Sequence, residues 1–239
     1  TRDINEDCAG VFRKKEGQLL AVVADGMGGH QAGEVASKMA LDKLEELFLS
    51  SPSYADEQNW KAWLLESIQI TNRSIYTYAK ENPQHFGMGT TLVAALFLNT
   101  CYLVAHVGDS RAYRLVDGNL QQLTDDHSLV NELVRVGQLA PEEAQNHPQR
   151  NVITRALGTQ EEVLVDLDRL TYMGGEQIML CSDGLSSMVP EEQIKTILSG
   201  PGHLEEKASR LLQAALDAGG DDNITLILIA DQAETSSAK

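Results

Sequence analysis

Four aspartates in this sequence stand where apolar segments stop or start. Asp25 closes QLLAVVAD, Asp109 closes YLVAHVGD, Asp183 closes IMLCSD, and Asp222 with Asn223 precedes ITLILIA. Any one of them reads as an ordinary turn, because Asp, Asn and Gly all favour turns. Four beside segments that belong in a core predict carboxylates converging at one edge of the sheets, where their repulsion is costly unless cations are bound. Oxygen-only donors select hard ions such as Mg2+ or Mn2+ over Zn2+. Two such ions, about 3.5–4 Å apart and sharing a carboxylate, can hold a water, lower its pKa and present it to phosphorus. The chemistry this suggests is hydrolysis of a phosphate ester.

The stretch around Asp25 is the most informative. Leu19 to Ala24 reads as a buried strand that ends at Asp25, followed by Gly26, Gly28 and Gly29 in a tight turn closed by His30. A dinucleotide fingerprint would need a third spaced glycine, and an acid at the strand end would repel a pyrophosphate. A metal cation removes that objection. Taken alone, the turn is equally compatible with an Asp that merely caps a helix.

Composition narrows the partners. The 239 residues carry 35 Asp+Glu against 19 Lys+Arg, a formal charge of −16, which disfavours nucleic-acid backbones and anionic membranes. Cys8, Cys101 and Cys181 are widely spaced with no C-x-x-C pair, so neither a disulfide framework nor a zinc knuckle is indicated, and a reducing cytoplasm fits. The longest apolar run, Leu92 to Leu98, is far short of the roughly 20 residues that cross a bilayer, and no signal segment opens the chain. A soluble protein is expected.

Periodicity places these residues on elements. A helix follows His30 with Ala36, Ala40, Leu44 and Leu47 at helical spacing, and a second, about 57–79, carries Trp60, Leu64, Ile68, Thr71 and Ile75 on one face. From Gly89 to Leu123 short strands alternate with turns at Asn99-Thr100 and Asp117-Gly118, predicting hairpins in an antiparallel sheet. Residues 127–158 lose that rhythm and read as a surface excursion over the site. Strands return at 163–170 and 176–182, then a helix from Pro190, another over 204–216 with Ala208, Leu211, Leu212 and Ala215 on its face, and a last strand. The fold class is α+β: antiparallel sheets covered by helices, in one domain over 1–230 with a frayed 231–239 tail.

Taken together, R-x-x-x-E-D at Arg2, Glu6 and Asp7, then ADGMGGH, GTT at 89–91, VGDSRAYR at 107–114, CSDGL at 181–185 and DDNIT at 221–225 resemble the ordered motif set of the PPM, or PP2C-type, protein serine/threonine phosphatases. The forms DGMGGH and VGDSRAYR are similar to compact bacterial members. The resemblance implies a β-sandwich of two antiparallel sheets flanked by helix pairs, with a dinuclear Mg2+/Mn2+ centre. It assigns Asp25 as the bridge, the Gly26 carbonyl to one ion, Asp183 and Asp222 to the other, and Asp109 to a third, weaker metal. Glu6 and Asp7 match acids that reach metals through water, Arg2 the phosphate-binding arginine, and His30 a proton donor, while Met27 stands where many eukaryotic members have His. The 127–158 excursion matches the flap. The implied substrates are phosphoserine and phosphothreonine proteins, hydrolysed without a covalent intermediate, with a Hanks-type kinase as counterpart and a monomer as the expected state.

Other chemistries fit less well. G-D-S-R-A at Ser110 is nearly a nucleophile elbow, but Ala112 to Val116 reads as a strand where that elbow requires a helix. No cysteine has Arg six positions later, as a cysteinyl-phosphate mechanism needs. Asp166 and Asp168 read as strand residues, Thr90 and Thr91 as β-formers at a strand start, and His85, His106, His127, His147 and His203 as surface or satisfied side chains. His127, beside Asp126, is the histidine to watch. The rival reading is a catalytically silent metal-binding scaffold of the same fold. A narrower variant confines the enzyme to one regulatory phosphoprotein.

Overall fold

The computed structural model describes residues 4–29, 31–144 and 147–230. In chain order these form β1 (Asp7–Arg13), β2 (Leu19–Met27), α1 (Ala32–Ser50), α2 (Glu57–Glu81), β3 (Gly89–Thr90), β4 (Leu92–Phe97), β5 (Cys101–Val107), β6 (Arg111–Val116) and β7 (Asn119–Gln122). There follow α3 (Leu129–Arg135), α4 (Pro141–Ala144), β8 (Asp166–Thr171), β9 (Gln177–Cys181), α5 (Asp183–Ser186), α6 (Glu191–Ser199), α7 (Leu204–Asp217) and β10 (Leu226–Ala230).

All strand pairs are antiparallel and fall into two sheets. One runs β1-β2-β4-β5-β8 with β3 paired to β2; the other runs β10-β9-β6-β7. Alternation along the strands explains how they stack. Leu20, Val22 and Ala24 of β2, with Leu92, Ala94 and Leu96 of β4, pack under α1 and α2. Their neighbours Ala21, Val23, Val93 and Ala95 turn the other way and meet Ala112, Ile178 and Leu180 of the second sheet. Met179 and Cys181 face outward onto Leu185, Ile194, Leu198 and Leu211 of the second helical layer. These central strands are buried on both faces, which is why they read as continuous apolar runs. The result is a helix–sheet–sheet–helix sandwich.

Several sequence expectations are refined. The hairpins between Gly89 and Leu123 do not share one sheet: β4 and β5 belong to the first, β6 and β7 to the second. The chain crosses between sheets at Gly108-Asp109-Ser110, where Gly108 has φ of 104°. The Asp117-Gly118 turn is a hairpin with both residues at positive φ, 48° and 71°, as its sequence predicts. The strand expected at 163–170 forms as β8, and Val163 and Val165 pack instead on the α1/α2 cluster. On α7, Leu212 is 40 % exposed and Lys207 takes an inward place, its Nζ donating to the Leu198 carbonyl and to Gln177 Oε1. The stem of a lysine buries readily when its ammonium is satisfied. Strand β1 has little signature in the sequence because Ala9 and Gly10 dilute its alternation.

Asn72, fully buried on α2, ties the helical layer to the chain returning from the 127–158 excursion. Its Oδ1 accepts from the Gly158 N–H at 2.8 Å and its Nδ2 donates to the carbonyls of Gln160 and Glu161, each at 3.0 Å. Asn72→Ala strands the buried Gly158 N–H, while the Gln160 and Glu161 carbonyls, on exposed residues, can turn to water, and the expected cost is about 1–3 kcal/mol. Urea unfolding of the two proteins measures it.

Candidate functional site

Asp25 lies within β2, not after it. The strand continues to Met27 because Gly89 and Thr90 pair with Met27 and Gly26. The turn begins only at Gly28 and Gly29, with φ of 132° and 74°. Gly26 serves a different purpose: a Cβ there would lie 2.1 Å from the Gly33 carbonyl oxygen and 2.6 Å from that of Glu6. Only hydrogen at this position lets α1 press onto β2. Three hydrogen bonds fix the Asp25 backbone: its N–H donates to Thr91 Oγ1 at 3.0 Å, and its carbonyl accepts from the Thr91 N–H at 2.8 Å and Thr90 Oγ1 at 2.9 Å. Thr90 and Thr91, expected only as β-formers, are thus what hold Asp25 in place.

Across the strand pair, Asp7 is the register partner of Asp25. Two carboxylates directly opposite each other are destabilising in an ordinary sheet. The second sheet adds to this arrangement. Ser182 Oγ donates to Asp7 Oδ2 at 2.8 Å and accepts from the Thr225 N–H at 3.1 Å, joining β1 to the β9–α5 connection and to the approach of β10. Asp183 opens α5, and Gly184 lets the Asp222-Asn223 segment close in: a Cβ on Gly184 would be 2.0 Å from the Asn223 carbonyl oxygen. Asn223 in turn accepts the Glu6 N–H at 2.9 Å and donates to the Ile4 carbonyl at 3.1 Å. Asp222 therefore precedes β10 by several residues, held by these contacts and not by the strand itself.

Asp109 occupies the crossover from β5 to β6. Beside it Ser110 Oγ and Thr91 Oγ1 are 2.7 Å apart, which accounts for Ser110 as a buried structural hydroxyl. Arg111 grips Asp126 through Nε and Nη2, with Nη2 2.7 Å from Oδ2. A groove of about 920 Å³ opens here between the 127–158 excursion and α6, with Asp109, Asp183, Arg150 and Glu191 among its lining residues. Two of the cluster's carboxylates thus line an open groove.

Charge is the telling property of the cluster. Burial pushes Asp25 well above the usual carboxylate range, and the charges of Asp7 and Asp183 push it further. Burial likewise raises Asp7 despite the Ser182 hydroxyl, and raises Asp109 to about 7 with Asp183 as the next cause. Asp7 Oδ1 is buried and finds no hydrogen-bond partner among the described residues. Buried acceptors in mutual repulsion, with only oxygen donors, suit divalent cations.

A pH dependence follows. The folded values of these acids lie above their unfolded ones near 4. Their contribution to stability is therefore full below about pH 4 and lost as pH rises through the folded values, the Asp109 share falling progressively above about pH 4 and being gone by about pH 7. Metal-stripped protein should lose about 4–8 °C of melting temperature between about pH 5 and 8. Saturating Mn2+ should flatten that loss, and calorimetric scans across pH with and without the ion test it.

The structure thus brings Glu6, Asp7, Asp25, Gly26, Asp109, Asp183 and Asp222 to one end of the sandwich. Arg2 and His30 lie outside the described residues. Ser182 and Gly33 carry no sign in the sequence of their place in the site, and Thr91 and Asn223 read there only as a β-former and a turn residue; all four are small or amide side chains inside the motifs. A second group also went unforeseen: His106, His127 and Asp166 have side-chain N and O atoms all within 4.8 Å of one another.

Fold and site together define a PP2C-type phosphatase, and the comparisons agree: residues 2–224 match the protein phosphatase 2C family, to which this chain belongs. The family comprises metal-dependent protein serine/threonine phosphatases. The chain is 44 % identical over 228 residues to the serine/threonine phosphatase stp of Listeria welshimeri, covering 95 % of this chain and 90 % of that protein. It is 36 % identical over 230 residues to protein phosphatase PhpP of Streptococcus pneumoniae, covering 96 % and 92 %. Among solved structures, a serine/threonine phosphatase of Staphylococcus aureus superposes with a TM-score of 0.90 at 43 % identity, over 96 % and 89 % of the two chains. The Mycobacterium tuberculosis enzyme PstP/Ppp gives 0.85 at 41 %, over 97 % and 93 %.

Proposed function

We propose that this chain removes phosphate from phosphoserine and phosphothreonine in proteins, using two divalent ions held at the carboxylate end of the sandwich. The observation that carries the reading is the pairing of Asp7 with Asp25 across β1 and β2, within reach of the charges of Asp183, Asp109 and Asp222. Asp25 would be the ligand common to both ions, the Gly26 carbonyl would serve one, and Asp183 and Asp222 the other. Asp109 would serve a third, weaker position, and Glu6 and Asp7 would act through water. When bound, such ions neutralise the cluster and supply a water of lowered pKa for attack on phosphorus.

The chain's own contribution is orientation. Thr90 and Thr91 clamp the Asp25 backbone, Ser182 aims Asp7, and the Arg111–Asp126 pair stiffens the mouth of the groove, so the acids need not rearrange when substrate arrives. The groove beside Asp109 and Asp183 admits the phosphorylated segment, and the 127–158 excursion forms its outer wall as the flap. Arg2 steadies the phosphoryl oxygens and His30 protonates the departing hydroxyl. The whole of 1–230 acts as one catalytic domain, monomeric and cytoplasmic, opposing a Hanks-type kinase. No helix among the described residues is long and apolar enough to cross a membrane.

Hydrolysis of a phosphothreonine peptide by metal-stripped protein, with and without Mn2+, is the test. Turnover that appears only with the ion supports the phosphatase. Bound Mn2+ without turnover would favour a silent scaffold.

A further inference from the structure

His127 lies outside the carboxylate cluster, yet it holds the residue that leads into Asp109. Its own N–H donates to the Gly108 carbonyl at 2.9 Å, and its ring Nδ1 accepts the Gly108 N–H at 3.1 Å. Both backbone groups of one glycine are thus satisfied by one histidine. Gly108 is boxed on its other side, where a Cβ would fall 2.7 Å from Thr91 Cγ2. The His127 carbonyl accepts the Thr154 N–H at 2.7 Å, tying the same residue to the returning limb of the flap.

These contacts decide the state of the ring. A nitrogen that accepts from a backbone N–H carries a lone pair, so the neutral imidazole of His127 has its proton on Nε2. Nε2 lies 3.2 Å from Asp166 Oδ2, an acceptor that suits that proton. Arg155 Nη1 donates to Asp166 Oδ1 at 3.0 Å and lies 3.2 Å from the same Nε2, so in this tautomer two donors stand side by side, both within reach of the Asp166 carboxylate. The His106 ring stacks on His127 with centroids 4.5 Å apart, and its Nε2 donates to the Asp125 carbonyl at 2.9 Å. This arrangement argues against a metal held by His106, His127 and Asp166. Ligation through Nε2 would move the proton to Nδ1, where it would face the Gly108 N–H, another donor. The burial of the ring, with His106 beside it, also disfavours its charged form.

We propose that His127 is a positioning residue, which sets the direction of the Asp109 carboxylate by clamping the Gly108 peptide and couples that carboxylate to the flap through Thr154 and Arg155. The proposal rests on the reading above that Asp109 serves a metal, and it gives Nδ1 of His127 the decisive part. Asp109 follows Gly108 directly, so the orientation of the Gly108 peptide, held at φ of 104°, sets where the Asp109 side chain starts. Outer residues that orient a ligand in this way typically alter metal affinity about 10–100-fold.

Two substitutions in the full-length chain separate the ring nitrogens. In His127→Asn the amide oxygen can take the place of Nδ1; in His127→Gln the amide reaches the place of Nε2 and leaves the Gly108 N–H without its acceptor. Mn2+ binding by calorimetry, exchange of the Gly108 amide and kcat and KM on a phosphothreonine peptide are measured for each, with 15N chemical shifts of the wild-type ring. The expected results are an unprotonated Nδ1 and a slowly exchanging Gly108 amide in the wild type, both kept in function by His127→Asn. His127→Gln should weaken the weakest Mn2+ step about tenfold and speed Gly108 exchange, with kcat recovering at high Mn2+. A protonated Nδ1, a fast-exchanging Gly108 amide or equal Mn2+ affinity in the two variants would overturn the clamp. If His127→Gln fails to fold, the wild-type ring shifts and Gly108 exchange still decide. Wild-type protein that binds Mn2+ without turnover would remove the phosphatase reading and leave the clamp to be judged by binding and exchange alone.

Discussion

Asp25→Asn is expected to abolish metal-dependent turnover and at the same time raise the melting temperature of the metal-stripped protein. The two signs come from one cause. Asp25 is buried opposite Asp7 and faces the charges of Asp183 and Asp109, so in the absence of cations its carboxylate is a liability. An amide keeps the shape, removes one charge from that repulsion, and should stabilise the empty protein by about 1 kcal/mol or more at neutral pH. The same change removes the carboxylate proposed as the shared ligand, and activity should fall by about 10³-fold, the scale of losing a single electrostatic stabiliser in an active site. Turnover is read on a phosphothreonine peptide at saturating Mn2+, and stability by thermal scans of chelator-treated protein. A variant that is both inactive and less stable without metal would mean that Asp25 is a structural residue whose hydrogen bonds matter more than its charge.

Gly26→Ala is expected to be among the most damaging single substitutions, although it adds only one methyl group. That methyl would lie 2.1 Å from the Gly33 carbonyl oxygen and 2.6 Å from that of Glu6, both backbone atoms with no rotamer to change. α1 must lift from β2 and Glu6, at the entry to β1, must part from it, and the second movement loosens the Asp7–Asp25 pairing. A loss of about 3–5 kcal/mol is expected, at the far end of what single substitutions do. Gly29→Ala is the control. Gly29 has φ of 74° but nothing within 4 Å of its would-be Cβ, so only the conformational cost of about 1 kcal/mol applies. Urea midpoints of the two variants decide, and equal losses would show that the close approach at Gly26 does not limit stability.

These two residues illustrate how far the sequence could be read. Asp25 stood out because an apolar run halts at an acid amid glycines, a pattern legible from local chemistry. Gly26 was legible as a glycine but misread in purpose, as a turn former, because the contact that demands it comes from Gly33 and Glu6 on other elements. Thr91 shows the same limit. Its β-forming character was visible, whereas its bonds to Asp25 and Ser110 span 66 and 19 positions and could be found only in space.

What the sequence by itself determined was the set of elements and the chemical type of the site. Continuous apolar runs, helical stripes on α1 and α2, the Asp117-Gly118 turn and the repeated acidic ends of strands are properties of nearest neighbours along the chain, and neighbours are what a sequence displays. The tertiary structure alone decided which sheet each hairpin joins, since β4–β5 and β6–β7 have similar patterns and are separated only by a crossover at Gly108. It alone decided that Asp7 faces Asp25, that Ser182 reaches Asp7 across 175 positions, and that His127 closes on Gly108. Register and side-chain hydrogen bonds between distant segments depend on how two packed sheets settle against each other, and no local pattern encodes that choice.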